Sequence, residues 1–95
     1  MKVSEITADD LSAYIRVDLD ENTEKLLTTL LNIAKEYIKS YTDMDNEEID
    51  EHEDIVIVVY ILVQDMYDNR TLYVDKTNLN KTVESIINLY RKNLI

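Results

Sequence analysis

Carboxylates dominate the residues that could do chemistry. The chain carries 20 Asp and Glu against 10 Lys and Arg, a formal charge of −10. Eight of the thirteen residues from Thr42 to Asp54 are acidic. Clustered carboxylates suit hard cations such as Ca²⁺ and Mg²⁺. Two stretches have the opening spacing of a calcium loop. In Asp18-x-Asp20-x-Asn22, however, Thr23 stands at the position that needs Gly, and Thr29 stands where a bidentate Glu belongs. In Asp43-x-Asp45-x-Glu47 the same two positions are Glu48 and Asp54. His52 is the only His and there is no Cys, which excludes Cys/His metal clusters, thiolate chemistry and disulfides. No Ser–His–Asp set suggests itself, and His52 is expected to be a solvated surface residue. The sequons at Asn69 and Asn80 carry no meaning without a secretion signal.

Glu47-Glu48-Ile49-Asp50-Glu51 has the form E-E-x-x-E, and Asp65-x-x-Asp68 follows. This resembles the all-α nucleotide pyrophosphatases of the MazG type, whose carboxylates hold Mg²⁺. Asp65 replaces the expected Glu, and no basic residue is obviously placed to hold a triphosphate. A solvated acidic loop accounts for the same residues.

Composition narrows the remaining classes. Ninety-five residues make one domain, 1–95, which buries roughly 60–65% of its unfolded surface. So acidic a chain is poorly suited to wrapping DNA, because phosphate binding needs clustered Lys and Arg. Gly is absent, which excludes Gly-rich phosphate-cradling loops. Turns then fall to Asp and Asn, which tolerate the left-handed backbone best after Gly. No signal peptide is evident, and nine consecutive apolar residues, Ile55 to Val63, are too few to span a membrane. A soluble cytoplasmic protein without membrane contact is expected.

The elements that position these residues read as helices over 7–17, 21–42, 51–69 and 80–93, a small all-α bundle. Thr7 is a candidate N-cap with Asp9 and Asp10 in the first turn. Leu26, Leu27, Leu30, Leu31, Ile33, Ala34, Tyr37, Ile38 and Tyr41 follow a 3.6-residue period. Thr42–Asp54 reads as a loop or a frayed helix start. The run Ile55–Val63 has the β-branched content of a buried strand. It is assigned to a helix because apolar character continues at Met66 and Tyr67, and because no second strand-like run exists to pair with it. Such a wide apolar girdle implies a central helix, or one packed partly on a neighbouring subunit. Arg70–Asn80 is a polar connection with a short extended segment at Leu72-Tyr73-Val74. The final helix places Val83, Ile86, Ile87, Tyr90 and Leu94 on one face, with Arg91 and Lys92 at its C-terminal end.

Four stretches, in order, carry a broader resemblance. They are Glu5-Ile6-Thr7 through Leu11-Ser12-Ala13-Tyr14-Ile15-Arg16-Val17-Asp18, the helix ending Ala34-Lys35-Glu36-Tyr37-Ile38-Lys39-Ser40-Tyr41-Thr42, the apolar helix running into Met66-Tyr67-Asp68-Asn69-Arg70, and the closing Val83-Glu84-Ser85-Ile86-Ile87-Asn88-Leu89-Tyr90-Arg91. Together they resemble the small head–tail connector (adaptor) proteins of tailed phages and prophages, often described as DNA-packaging proteins. Asp43 stands where members often have Gly, and an acidic segment stands where many have Pro before the apolar helix.

The resemblance implies a structural part with no catalytic centre, cofactor or metal. It implies a ring of subunits, dodecameric on the portal protein, with a stopper or tail-completion protein on the other side. DNA passes through without specific binding, and the protein moves from host cytoplasm into the virion at the head–tail junction. Net charge −10 suits such a channel, since a negative wall repels phosphate. The portal or partner contact is expected at Leu89, Tyr90, Arg91, Lys92, Leu94 and Ile95. The acidic residues Asp43, Asp45, Glu47, Glu48, Asp50 and Glu51 are expected to face the channel or a partner. The alternatives are the Mg²⁺-dependent pyrophosphatase and an acidic DNA mimic that inhibits a DNA-binding protein.

Overall fold

The structure is a computed structural model and describes residues 1–92. It is all-α, with no strand among the described residues. A 3-10 turn at Val3–Glu5 precedes α1 (Ala8–Ile15), α2 (Glu21–Thr42), α3 (Asn46–Asp50), α4 (Asp54–Asn69) and α5 (Lys81–Leu89).

Side-chain caps start most of these helices. Thr7 accepts from the Asp10 N–H, and the Asp10 carboxylate accepts from the Thr7 N–H, so two orphan donors are satisfied reciprocally. Asp20 caps α2 by accepting from the Thr23 N–H at 2.8 Å. Asn80 caps α5 by accepting from the Thr82 and Val83 N–H groups.

The helix ends solve a harder problem, because there is no Gly. Three residues adopt the left-handed backbone: Arg16 (φ 67°), Asp43 (φ 62°) and Arg70 (φ 54°). Asp43 fits the expectation that Asp and Asn serve here; the two arginines do not. They are held by the hydrogen bonds that close the helices. Val17 N–H donates to the Ser12 carbonyl, and Thr71 N–H donates to the Met66 carbonyl. Arg16 thus ends α1 earlier than the expected 7–17.

Helix α4 is the centre of the molecule. Ile55, Val56, Val58, Val59, Leu62, Val63 and Met66 are buried, on several sides of the helix. Helix α2 covers one flank with Leu27, Leu30, Leu31, Ala34 and Ile38, and α5 covers another with Val83 and Ile87. Helix α1 and the 3-10 turn close much of the rest, through Leu11, Val3 and Ile6. Tyr14 stacks on Tyr60 with ring centroids 5.0 Å apart. The girdle is therefore covered largely by its own chain, and Ile57, 49% exposed, is its one well-exposed member.

Three boundaries differ from expectation. Helix α4 starts at Asp54 rather than near 51. The acidic segment contains a helix of its own, α3, capped by Asp45 and anchored by the buried Ile49. Helix α5 ends at Leu89 rather than near 93. The Arg70–Asn80 connection forms no strand, and Leu72 and Tyr73 are 62% and 63% exposed.

The two arginine helix ends yield a stability prediction. Replacing either by Gly removes the clash of a Cβ in the left-handed region but adds chain entropy to the unfolded state. The net expectation for Arg16→Gly or Arg70→Gly is a gain of about 0.5–1 kcal/mol. Chemical denaturation checks this; a loss of stability in both would mean that the arginine side chains hold the structure.

Candidate functional site

Residues 90–92 and the acidic segment, both singled out from sequence, lie against each other. Helix α5 ends where tertiary contacts take over. Tyr90, half-buried, donates its hydroxyl to both oxygens of Asp54 at 2.8 and 2.9 Å. Its ring lies 4.1 Å from that of His52. The Asp54 hydrogen bond, with burial, pushes the Tyr90 phenol up from its ordinary range. His52 is thus half-buried against an aromatic ring rather than solvated.

The next two residues continue the contact. Arg91 places its guanidinium 4.9 Å from the centre of the Tyr41 ring. Lys92 donates its backbone N–H to the Thr42 carbonyl at 3.2 Å, and its ammonium meets the Glu48 carboxylate at 2.6 and 2.8 Å. The expected 80–93 helix is cut short because Tyr90, Arg91 and Lys92 each find a partner off the helix axis. The two cations consequently bind Tyr41 and Glu48 instead of extending a helix end. Leu89 points outward and is 74% exposed. Leu94 and Ile95 lie outside the described residues.

The acidic candidates divide. Asp43 closes α2 in the left-handed conformation. Asp45 caps α3 by accepting from the Glu48 N–H at 2.9 Å. Glu48 pairs with Lys92, and that hydrogen bond holds its carboxyl below the usual range. Asp50 accepts from the Ser4 N–H at 3.0 Å, which ties α3 to the N-terminal turn, and the Ser4 side chain together with that N–H lowers its carboxyl. Glu47 and Glu51 are exposed, with no ion pair among the described residues. Four of the six therefore hold structure, and only Glu47 and Glu51 remain as plain surface charge.

The metal motifs are not assembled. Asp20 and Asn22 are the cap and an early residue of α2, so no calcium loop forms there. Glu47, Glu48 and Glu51 precede α4 in the chain, whereas Asp65 is eleven residues along that helix, roughly 16 Å from its start at 1.5 Å per residue. Among the described residues no group of three or more His, Asp or Glu is placed to hold a metal ion. Asp65 sits beside Asp68 near the far end of α4, and partial burial, then that neighbour, push its carboxyl upward.

Sequence reasoning missed Thr42. It is fully buried, donates its hydroxyl to the Ile38 carbonyl at 2.6 Å and accepts from the Met44 N–H. Both bonds are local, but no sequence pattern marks its burial, which comes from the packing of the whole fold. The Lys92–Glu48 pair had a signal in the single adjacent basic pair of an acidic chain, but many carboxylates could have answered it. Comparison of the chain with protein-family models, curated proteins and solved structures finds no match.

These contacts set the response to acid. Asp20, Glu48, Asp50 and Asp75 all have carboxyls lowered, chiefly by hydrogen bonds to Thr23, Lys92, Ser4 and Thr77. A depressed folded value contributes stability that is present above the unfolded value, near about pH 4, and lost as pH falls through the folded one. Asp65 acts in the opposite sense, since its protonation relieves a cost. The melting temperature is expected to fall below about pH 4. Glu48→Gln should flatten that fall while Glu47→Gln leaves it unchanged. Equal pH profiles for both variants would show that the Lys92 pair has no part in it.

Proposed function

We propose that this chain is a structural head–tail connector subunit of a tailed phage or prophage. In this reading it forms a ring beneath the portal protein, with a stopper or tail-completion protein beyond it and DNA passing through. The observation that carries the reading is the ordered set of sequence stretches, from Tyr14-Ile15-Arg16-Val17-Asp18 to Leu89-Tyr90-Arg91. The all-α architecture is of the kind the resemblance implies. Exposed apolar side chains at Leu89, Leu72, Tyr73 and Ile57 suit a protein that works in contact with others. The carboxylates of the rival pyrophosphatase motif lie at separate places along the fold, so no observation favours that reading.

Within this proposal, the partner contact rests on Leu89 together with Leu94 and Ile95, which lie outside the described residues. Tyr90 and Lys92 are occupied by Asp54 and Glu48. Truncation after Asn88 would remove those internal contacts as well as any docking contact, so it would test two things at once. A cleaner variant combines Leu89→Ser with truncation after Lys92. The expected result is a protein with unchanged circular dichroism that no longer joins filled heads to tails in an assembly reaction. Joining at the wild-type level would place the contact elsewhere.

A further inference from the structure

The apolar girdle of α4 has one strip that the chain leaves open. Ile57 is 49% exposed, and Tyr60 and Ile61, one turn along the helix, are half-buried. Tyr60 carries the strip across to the N-terminal elements. Its ring stacks on Tyr14 of α1, which is 43% exposed, and its hydroxyl lies 3.5 Å from the sulfur of Met1. The two helices thus share one exposed apolar surface. Their charge has a single sign. Helices α1 and α4 carry five carboxylates, Asp9, Asp10, Asp54, Asp65 and Asp68, and no Lys or Arg. Helix α2 has three acids and three bases, and α5 has one of each. Arg16 and Arg70 stand beyond the last residues of α1 and α4, and the Met1 ammonium is paired with Glu53 at 3.6 Å. Asp65 and Asp68 are exposed and prolong the strip, one and two turns beyond Ile61. Burial, and then the charge of Asp10, raise the Tyr60 phenol, so a third carboxylate stands near the rings.

We infer that this surface docks a basic amphipathic helix of a partner protein, with apolar side chains on Ile57, Tyr60, Ile61 and Tyr14 and Lys or Arg side chains on Asp65 and Asp68. Charge complementarity selects the occupant. Opposite charge across the rim speeds encounter and fixes orientation, while like charge penalises other partners. The net charge of −10 adds a long-range field in the same sense. A two-fold contact between copies would set the same carboxylates against each other. A nucleic acid or an anionic lipid surface needs clustered bases, and these two helices have none. An amphipathic helix supplies both requirements together, an apolar stripe and charged flanks. Asp54 takes no part, because its carboxylate already accepts from Tyr90. The inference does not rest on the connector reading, since it concerns a contact measurable with the isolated chain.

The experiment is a titration of the ¹⁵N-labelled protein at low salt, followed by amide chemical shifts. The probe is a blocked peptide of Leu and Lys with Leu at helical spacing. The same peptide with Glu for Lys, a peptide of the same composition with the Leu positions scrambled, and phosphatidylglycerol vesicles are run in parallel. Sedimentation gives the mass of the free protein. The expected result is a monomer that shows saturable shifts at Tyr14, Ile57, Tyr60 and Ile61 with the amphipathic Lys peptide alone. Ile57→Ser should weaken binding about tenfold, and Asp65→Asn combined with Asp68→Asn about fivefold. Glu21→Gln combined with Glu24→Gln removes the same charge from α2 and should change binding by less than about twofold. All five positions are exposed, so spectra of the free variants should overlay the wild type away from the substitutions. The α4 charge variant keeps the test open should Ile57→Ser disturb the helix. The inference is overturned if the Lys peptide gives no saturable shift, if it shifts another face, or if the Glu or scrambled peptide binds equally. It is also overturned if the vesicles bind through these residues, if the free protein is a dimer that Ile57→Ser dissociates, or if the α4 and α2 charge variants titrate alike.

Discussion

A helix that is apolar on several sides at once needs cover on several sides, and this requirement of α4 organises the molecule. Its sequence, with Val and Ile in a long run, is a poor helix former by intrinsic preference, because β-branched side chains lose rotamer freedom against the preceding turn. Burial outweighs that cost. Each Val, Leu or Ile side chain taken fully from water contributes about 1.5–3 kcal/mol, against a few tenths per residue of propensity. Long α2 supplies one wall and α5 another, while α1 and the N-terminal turn are drawn in to close the rest. The N-terminal 3-10 turn and Tyr90, just after α5, meet this helix as well.

The closing contacts turn hydrophobic order into a specific arrangement. Asp54 begins α4 and receives the Tyr90 hydroxyl from the far end of the chain. Thr42, the last residue of α2, offers its carbonyl to Lys92, whose ammonium reaches across to Glu48 on α3. The acidic segment is thereby structured on both sides, by Ser4 from the N-terminus and by Lys92 from the C-terminal region. What looked in sequence like a charged loop waiting for a partner is in large part a joint within the subunit. The exposed apolar surface lies elsewhere, and it includes Leu89, Leu72 and Tyr73 of the 70–80 connection, and Ile57.

The parts legible in sequence were those with local causes. The 3.6-residue period of Leu27, Leu30, Leu31, Ala34 and Ile38 located α2. The cap Thr7 was visible because an N-cap acts on residues three positions away. The helical state of Ile55–Val63 was reached by elimination, since a lone strand cannot satisfy its backbone. The parts that stayed hidden have distant causes. Nothing near Tyr90 announces that Asp54, thirty-six residues earlier, will end the last helix there. Helix α3 was hidden by its charge, because a single buried residue, Ile49, and an Asp45 cap suffice for five residues. Arg16 and Arg70 in left-handed conformation run against residue preference and follow from the hydrogen bonds that close each helix.

One chain covers most of α4 by itself. Native-state amide hydrogen exchange on the isolated protein, over a hundredfold range of dilute concentrations, tests it most directly. The amides of Val58, Val59, Leu62 and Val63 should be the most protected in the molecule, with protection that does not depend on concentration. Weak protection in dilute solution that strengthens with concentration would contradict the account, since it would show that a neighbouring copy supplies the cover attributed here to α1, α2 and α5.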